Sequence, residues 1–285
     1  MQVKADKIYL VTGGTGFLGE KLVEKIISLG GKVRVLSRNE GKLITLKHNF
    51  PSVEIYAGDI SDSFEVRQAM KDVSGIFHLA ASKHVGLAEK FSRECVKTNI
   101  VGTINILEQS LAHKPDFVVG ISTDKAAQVS GVYGASKLLM ERLFRQYEEI
   151  NKDTGYRIVR YGNVLYSTGS VLCKWKDLIE NEKQVIVTDP EATRFFWTVD
   201  EAISLIFECM SNAGDSSPYV PHMKSMKIAS LLEAMRRKYS PNDSDLDIKI
   251  IGLQEGENLH EKILENGPYS NEVSEFTIEE IMEKI

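Results

Sequence analysis

The sequence predicts an α/β fold, a doubly wound parallel sheet with a smaller mixed α/β lobe at its C-terminal end. Three observations carry this. Short apolar runs alternate with segments of helical period up to about residue 165, a glycine-rich turn joins the first strand to the first helix, and the alternation breaks down after Asn163. Ile8–Val11 is a buried strand that stops at Thr12-Gly13-Gly14. Leu18, Leu22, Ile26 and Leu29 then recur at helical spacing until Gly30-Gly31 ends the helix. Residues 32–36 form the second strand, with a polar loop at Ser37-Arg38-Asn39-Glu40, and residues 53–56 the third, closed by Gly58-Asp59. A short helix at 66–70 leads to a fourth strand at 75–79, and a longer helical segment covers 91–113. The fifth strand is 117–121, the strongly periodic helix 133–150 follows, and 156–160 is the sixth strand.

Beyond Asn163 come a strand at 185–187, a helix at 200–210, a turn-rich break at 212–218, a helix at 227–239, a strand at 246–251 and a last helix at 278–285. The expected division is a nucleotide-binding domain over 1–165 and a substrate lobe over 166–285, with 193–210 packing back on the first.

Composition narrows the function classes. The 285 residues are 42% hydrophobic and 26% charged, an ordinary globular balance that excludes a disordered chain. A net charge of −5 leaves no basic stripe for a phosphate backbone, so no nucleic-acid partner is expected. Cys95, Cys173 and Cys209 are far apart and outside any CxxC pair, which fits a reducing compartment. Residues 1–7 lack the apolar core of a signal peptide, and no apolar stretch approaches the ~18 residues of a membrane span. The expectation is a cytoplasmic protein with no membrane partner.

The glycine-rich turn reads Thr12-Gly13-Gly14-Thr15-Gly16-Phe17-Leu18-Gly19. Gly13 permits the tight turn, Gly16 lets a pyrophosphate approach the backbone, and Gly19 lets helix and strand pack closely. Thr15, Phe17 and Leu18 complete the turn, where the helix N-terminus offers N–H groups and a favourable dipole to an anion. Placed between a strand and a helix, this pattern predicts a Rossmann-type dinucleotide site. The end of the second strand carries Ser37-Arg38 with Lys42 close by, rather than the carboxylate that selects NAD. A guanidinium with a hydroxyl suits a 2′-phosphate, so the expected cofactor is NADP. Asp59-Ile60, after the third strand, is placed to meet the adenine.

Tyr133 and Lys137 lie four apart at the start of a helix, on one face. An ammonium beside a phenol is expected to lower its pKa towards that of a useful general base. Ser122, Thr123, Asp124 and Lys125 follow at the carboxyl end of the fifth strand, where open α/β sheets place their ligands. The six histidines form no HxxxH or HExxH pair, so no metal is expected, and Ser122 has no G-x-S-x-G elbow around it.

With TGGTGFLG and YGASK in place, the chain resembles the extended short-chain dehydrogenase/reductases. HLAASKHV (78–85), KTNIVGT (97–103), ISTDKA (121–126), RYGNV (160–164), TRFFWTVDEA (193–202) and GENLHEKI (256–263) narrow the resemblance over nearly the whole chain. They resemble the UDP-N-acetylglucosamine 4,6-dehydratases, particularly the short, soluble, C5-inverting group of pseudaminic-acid and polysaccharide synthesis. The resemblance implies that Tyr133, aided by Lys137 and Thr123, takes the proton of the sugar 4-hydroxyl. Lys125 then removes the C5 proton and Asp124 protonates the departing 6-hydroxyl. It implies further that Asn99 orders the catalytic water and lysine. Leu79, Ala80 and Ala81 pass under the nicotinamide ribose, with Tyr161, Asn163 and Val164 opposite.

Lys83, Asn163 and Arg194 are candidates for cofactor or substrate phosphates, Glu257 for the uridine ribose, and His84 and Val171 for the sugar-nucleotide. Gln254–Asn258, His222, Tyr166 and Cys173-Lys174-Trp175 depart from the family pattern, all within the sugar-nucleotide lobe. They leave open a sister enzyme, a UDP-sugar C5-epimerase or oxidoreductase acting on a dehydrated UDP-N-acetylhexosamine. A non-catalytic NADP-binding sensor is the second alternative. A homo-oligomer is expected by analogy with the superfamily.

Overall fold

The structure, a computed structural model, describes residues 1–240 and 245–285. In the first half, β1 (Ile8–Thr12), α1 (Phe17–Ser28), β2 (Lys32–Ser37), α2 (Glu40–Asn49), β3 (Glu54–Ala57), α3 (Ser63–Ala69) and β4 (Val73–His78) alternate. Then follow α4 (Val85–Lys90), α5 (Ser92–Val96), a π-helical turn (Lys97–Val101), α6 (Gly102–His113), β5 (Phe117–Thr123), a 3₁₀ turn (Asp124–Ala126), α7 (Val132–Ile150) and β6 (Gly155–Tyr161). The remainder holds β7 (Asn163–Val164), α8 (Val171–Glu180), β8 (Val185–Val187), β9 (Thr193–Arg194), β10 (Phe196–Trp197), α9 (Val199–Asn212) and β11 (Pro218–Tyr219). It closes with β12 (Met226–Lys227), α10 (Ile228–Tyr239), β13 (Ile248–Ile250) and α11 (Ile278–Lys284).

Seven of these strands form one parallel sheet in the order β11-β6-β5-β4-β1-β2-β3. The chain starts at β1, winds outward to β3, then returns to β4 on the other side. The carboxyl ends of β1 and β4 therefore diverge at a switch point, where a crevice opens. β5 is buried along its whole length, as a central parallel strand covered on both faces must be. One face carries α1 and α9 over Tyr9, Val11, Phe77 and Val119, and the other carries α3, α6 and α7 over Leu10, Ile76, Val118 and Ile158. A separate core gathers Leu172, Trp175 and Ile179 of α8, Leu231 and Met235 of α10 and Ile281 of α11.

Several elements differ from the sequence reading. α2 fills the stretch after the polar loop, its N-terminus capped by Asn39 Oδ1, which accepts from Lys42 N at 2.9 Å. Only Leu43 and Leu46 face the core, too few to print a helical period. The segment expected as one helix over 91–113 is α5 and α6 joined through the π-helical turn, with α4 preceding them. α8 is absent from the expected elements, although Leu172, Trp175 and Ile179 keep the i, i+3, i+7 spacing of one helical face. β11 occupies the end of the turn-rich break and adds two residues to the sheet edge beside β6.

Candidate active site

A cleft of about 900 Å³ opens at the carboxyl ends of the strands. The first wall is the turn after β1. Gly13 has φ +71°, and a Cβ there would lie 2.8 Å from Ala80 N, so the turn needs glycine both for its backbone and for its contact with the residues after β4. A Cβ on Gly19 would meet Gly13 O at 2.3 Å, which fixes how closely α1 approaches the turn. No side chain caps α1, whose N-cap is Gly16. Thr15, Gly16, Phe17 and Leu18 line the cleft here, and the uncapped helix end gives an anion a place to bind. The donor set and the bare backbone fit a dinucleotide pyrophosphate.

Ser37, Arg38 and Lys42 line the next part, with Asp59 and Ile60 beside them. Ser37 Oγ and Thr15 Oγ1 are 2.8 Å apart. Arg38 lies 3.6 Å from Asp59, and Lys97 3.9 Å. Burial works to raise the Asp59 carboxyl, but hydrogen bonds from Ser61 and these cations outweigh it and hold it below its usual range. Leu79, Ala80, Ala81, Lys83 and His84 continue the wall after β4. Burial pulls down both the Lys83 ammonium and the His84 imidazole, and each lacks an anionic partner among the described ion pairs. Tyr161, Asn163, Val164, Val171, Arg194 and Glu257 close the far side.

The floor carries the reactive groups. Ser122, Thr123, Lys125, Tyr133 and Lys137 all line it. Ser122 turns its hydroxyl onto Glu141, away from chemistry. Lys137 Nζ donates to Ile121 O at 2.7 Å, and burial lowers its pKa to about 8. The expectation of a phenol lowered by Lys137 needs correction. Burial pushes Tyr133 up to about 12, and the cation that pulls it back is Lys125. Lys137 acts on the strand carbonyl instead.

Two residues do not reach the cleft. Asn99 is buried in the π-helical turn, where Oδ1 accepts from Ser82 N at 2.7 Å and Nδ2 donates to Ser82 O at 3.1 Å and Ser136 Oγ at 2.9 Å. Its amide groups are engaged by protein, which fixes the loop that presents Lys83 and His84. Asp124 sits behind the floor with a fully buried side chain. Its Oδ1 accepts from Thr123 Oγ1 at 2.7 Å, Lys125 N at 2.8 Å and Lys125 Nζ at 3.2 Å. Its Oδ2 is buried without a donor.

The sequence reading also missed Glu261. It lies in an irregular segment, 136 residues from Lys125, yet accepts from Lys125 Nζ at 3.0 Å and pairs with Arg194 Nε at 3.3 Å. Arg194 NH1 donates to the Thr193 and Leu259 carbonyls, each at 2.9 Å. Only the GENLHEKI segment around Glu261 hinted at it, since no local periodicity marks a carboxylate buried by contacts this distant.

Residues 9–283 match the polysaccharide biosynthesis protein family. The chain belongs to that family. Its relatives include an uncharacterized membrane protein of Methanocaldococcus jannaschii, 38% identical over 91% of this chain and 80% of the relative. Another is a UDP-N-acetylglucosamine 4,6-dehydratase (inverting) of Campylobacter jejuni, 35% identical over 90% of this chain and 76% of the relative. Among solved structures, Pen from Bacillus thuringiensis superposes with a TM-score of 0.87 at 32% identity, covering 93% of this chain and 83% of Pen. The resemblance drawn from the motifs is therefore borne out at the level of the family. Among the described residues, no helix of this family member is long and apolar enough to cross a membrane.

Proposed function

We propose that this protein is an NADP-dependent UDP-N-acetylglucosamine 4,6-dehydratase, inverting at C5, that makes a 4-keto-6-deoxy UDP-sugar for surface glycans such as those containing pseudaminic acid. The observation that carries the reading is the Thr123-Asp124-Lys125 turn at the end of β5, which sets an amine beside the Tyr133 phenol on the cleft floor with a carboxyl directly behind it. The dinucleotide, held by the turn after β1, Ser37, Arg38 and Lys137, supplies a hydride acceptor and donor when bound. Tyr133 takes the 4-hydroxyl proton, with Thr123 orienting that hydroxyl. Lys125 in its neutral form takes the C5 proton. Asp124, behind the floor, delivers its proton to the departing 6-hydroxyl through the Thr123 hydroxyl, with which it is hydrogen-bonded at 2.7 Å. Lys83 and Arg194 offer cationic partners to the nucleotide-sugar phosphates, and His84 a neutral imidazole to the sugar.

Arg38 and Ser37 support NADP over NAD, and Asp59 holds part of the guanidinium in place. The exposed apolar residues Val96, Val101, Leu111 and Leu139 on α5, the π-helical turn, α6 and α7 support a homo-oligomer built on that face. Proton NMR of the purified protein with UDP-N-acetylglucosamine in D₂O tests the reading. A new 6-methyl signal with deuterium at C5 is expected, with ring couplings of the inverted product. An unchanged spectrum would sink it and favour the sister epimerase or oxidoreductase. That second reading is supported by Tyr166, whose φ of +55° keeps a side chain where the backbone suits glycine and which alters the sugar-nucleotide lobe by bonding Tyr239 at 2.7 Å.

A further inference from the structure

Two carboxyl groups crowd one ammonium at the cleft floor. Asp124 and Glu261 both contact Lys125 Nζ, at 3.2 and 3.0 Å, and their side chains are 0% and 5% exposed. Because both contact the same nitrogen, the two carboxyls stand close together in a buried place. Two buried carboxylates this close repel when both are ionised, which favours a proton on one of them. Asp124 Oδ1 already accepts three hydrogen bonds while Oδ2 has none. A proton on Glu261 would satisfy that oxygen.

We propose that Glu261 is a positioning residue that carries a proton shared with Asp124 Oδ2, and that this proton decides whether Lys125 can release its own. The proposal rests on the dehydratase reading, in which Lys125 must become a neutral base and Asp124 a protonated acid. Transfer of one proton from Lys125 Nζ to Asp124 Oδ1 produces both forms at once. An N–H bond breaks, an O–H bond forms, and charges of +1 and −1 become zero. With Glu261 neutral, a single anion opposes that transfer. With Glu261 ionised, a second anion holds the ammonium and the base is lost.

The charged and titratable groups facing Glu261 are Asp124 and Lys125 from the turn after β5, and Arg194 from β9, with Tyr133 of α7 bordering the first two. Asn163 Nδ2, 3.5 Å from Oε2, is the neutral polar neighbour. Burial first and Asp124 second raise Glu261 to about 7, against the pull of Lys125 and Arg194, while the same surroundings keep Lys125 protonated.

Infrared pH-difference spectroscopy of the purified full chain, without sugar, reads the proton directly. A protonated-carboxyl band should vanish as pH rises through about 7 in the native protein and be missing in Glu261→Gln. With UDP-N-acetylglucosamine, native kcat should fall through the same range. Glu261→Gln, whose amide keeps a donor and an acceptor but cannot ionise, should retain kcat within about 10-fold and show no such fall. A neutral-range band that survives in Glu261→Gln, or an unchanged alkaline fall of its kcat, would overturn the proposal. If Glu261→Gln fails to fold, Asp124→Asn replaces it. Removing the like charge should move the band to lower pH, and an unmoved band would overturn the proposal equally. A band behaving as described in a native protein that turns over no sugar sinks the dehydratase reading alone, whereas turnover without the band sinks the role of Glu261 alone.

Discussion

Two buried ion clusters each draw a carboxylate from residues 261–265 and differ in what they leave unfinished. Around Arg160, the guanidinium donates to both oxygens of Glu141, Nε at 3.0 Å and NH2 at 2.6 Å, and NH1 reaches Ile263 O at 2.8 Å. NH1 and NH2 also meet Glu265, at 3.4 and 3.2 Å. This bidentate arrangement satisfies a fully buried cation and lines no part of the cleft. Around Lys125, by contrast, Asp124 Oδ2 is buried without a donor, and the amine lines the cleft. Burial and charge are common to both. The distinction is that the structural cluster closes its hydrogen bonds, while the reactive one leaves a buried carboxylate oxygen without a donor and presents its amine to the cleft.

That comparison can be broken in four ways. The largest effect is expected from Asp124→Asn or Lys125→Ala, which should lower kcat by about 10²–10⁴-fold, the scale of general acid–base catalysis, and leave dinucleotide binding measured by fluorescence unchanged. Undiminished turnover would place the chemistry elsewhere. Arg160→Met should do the opposite, costing about 3–5 kcal/mol in urea unfolding by stranding Glu141, with kcat per folded molecule close to native. A stable variant with crippled turnover would mean that the Arg160 cluster is part of the machinery.

Arg38→Ala tests an exposed pair at the cleft mouth, where the guanidinium side chain is 62% exposed. It should weaken NADP binding by about 10–100-fold, as expected for loss of a charge-assisted contact, and leave NAD binding nearly unchanged. Equal losses for the two cofactors would remove Arg38 from 2′-phosphate recognition. The smallest effect belongs to Glu265→Gln, because that carboxylate is half exposed and Arg160 keeps Glu141. It should cost at most about 1 kcal/mol at neutral pH. Burial opposes ionisation of Glu265, but Arg160 outweighs it and holds the pKa below the ordinary 4.5. Its contribution is therefore present above pH 4.5 and lost as pH falls below it, and the variant should show a slightly flatter acid decline in melting temperature.

The same contrast explains what could be read in the chain beforehand. The sheet was legible because its inner parallel strands are buried on both faces and print as apolar runs, β5 most plainly, while the edge strand β3 is largely exposed. The turn after β1 was legible because close approach demands glycine at fixed offsets. α2 was obscure because it buries only Leu43 and Leu46, whereas the i, i+3, i+7 spacing of Leu172, Trp175 and Ile179 in α8 was there to be read. At the site, Thr123, Lys125 and Tyr133 could be placed together from one turn and one helix start. Glu261 could not, since its partners come from distant strands. Asn99 was recognisable as a motif residue, but its partners Ser82 and Ser136 are set by the π-helical turn, which leaves no trace in hydrophobic spacing.

The stretch from Glu261 to Glu265 has a further consequence. It has no helical or strand geometry of its own, yet one end reaches Lys125 and the other reaches Arg160, while the carbonyl of Ile263 between them is also held. It works as a gauge block, setting the distance between an anchored point and a working one. Single-residue insertions here should therefore be far less tolerated than in other irregular stretches of similar length, because lengthening the gauge displaces a carboxyl from the floor even when every side chain is retained.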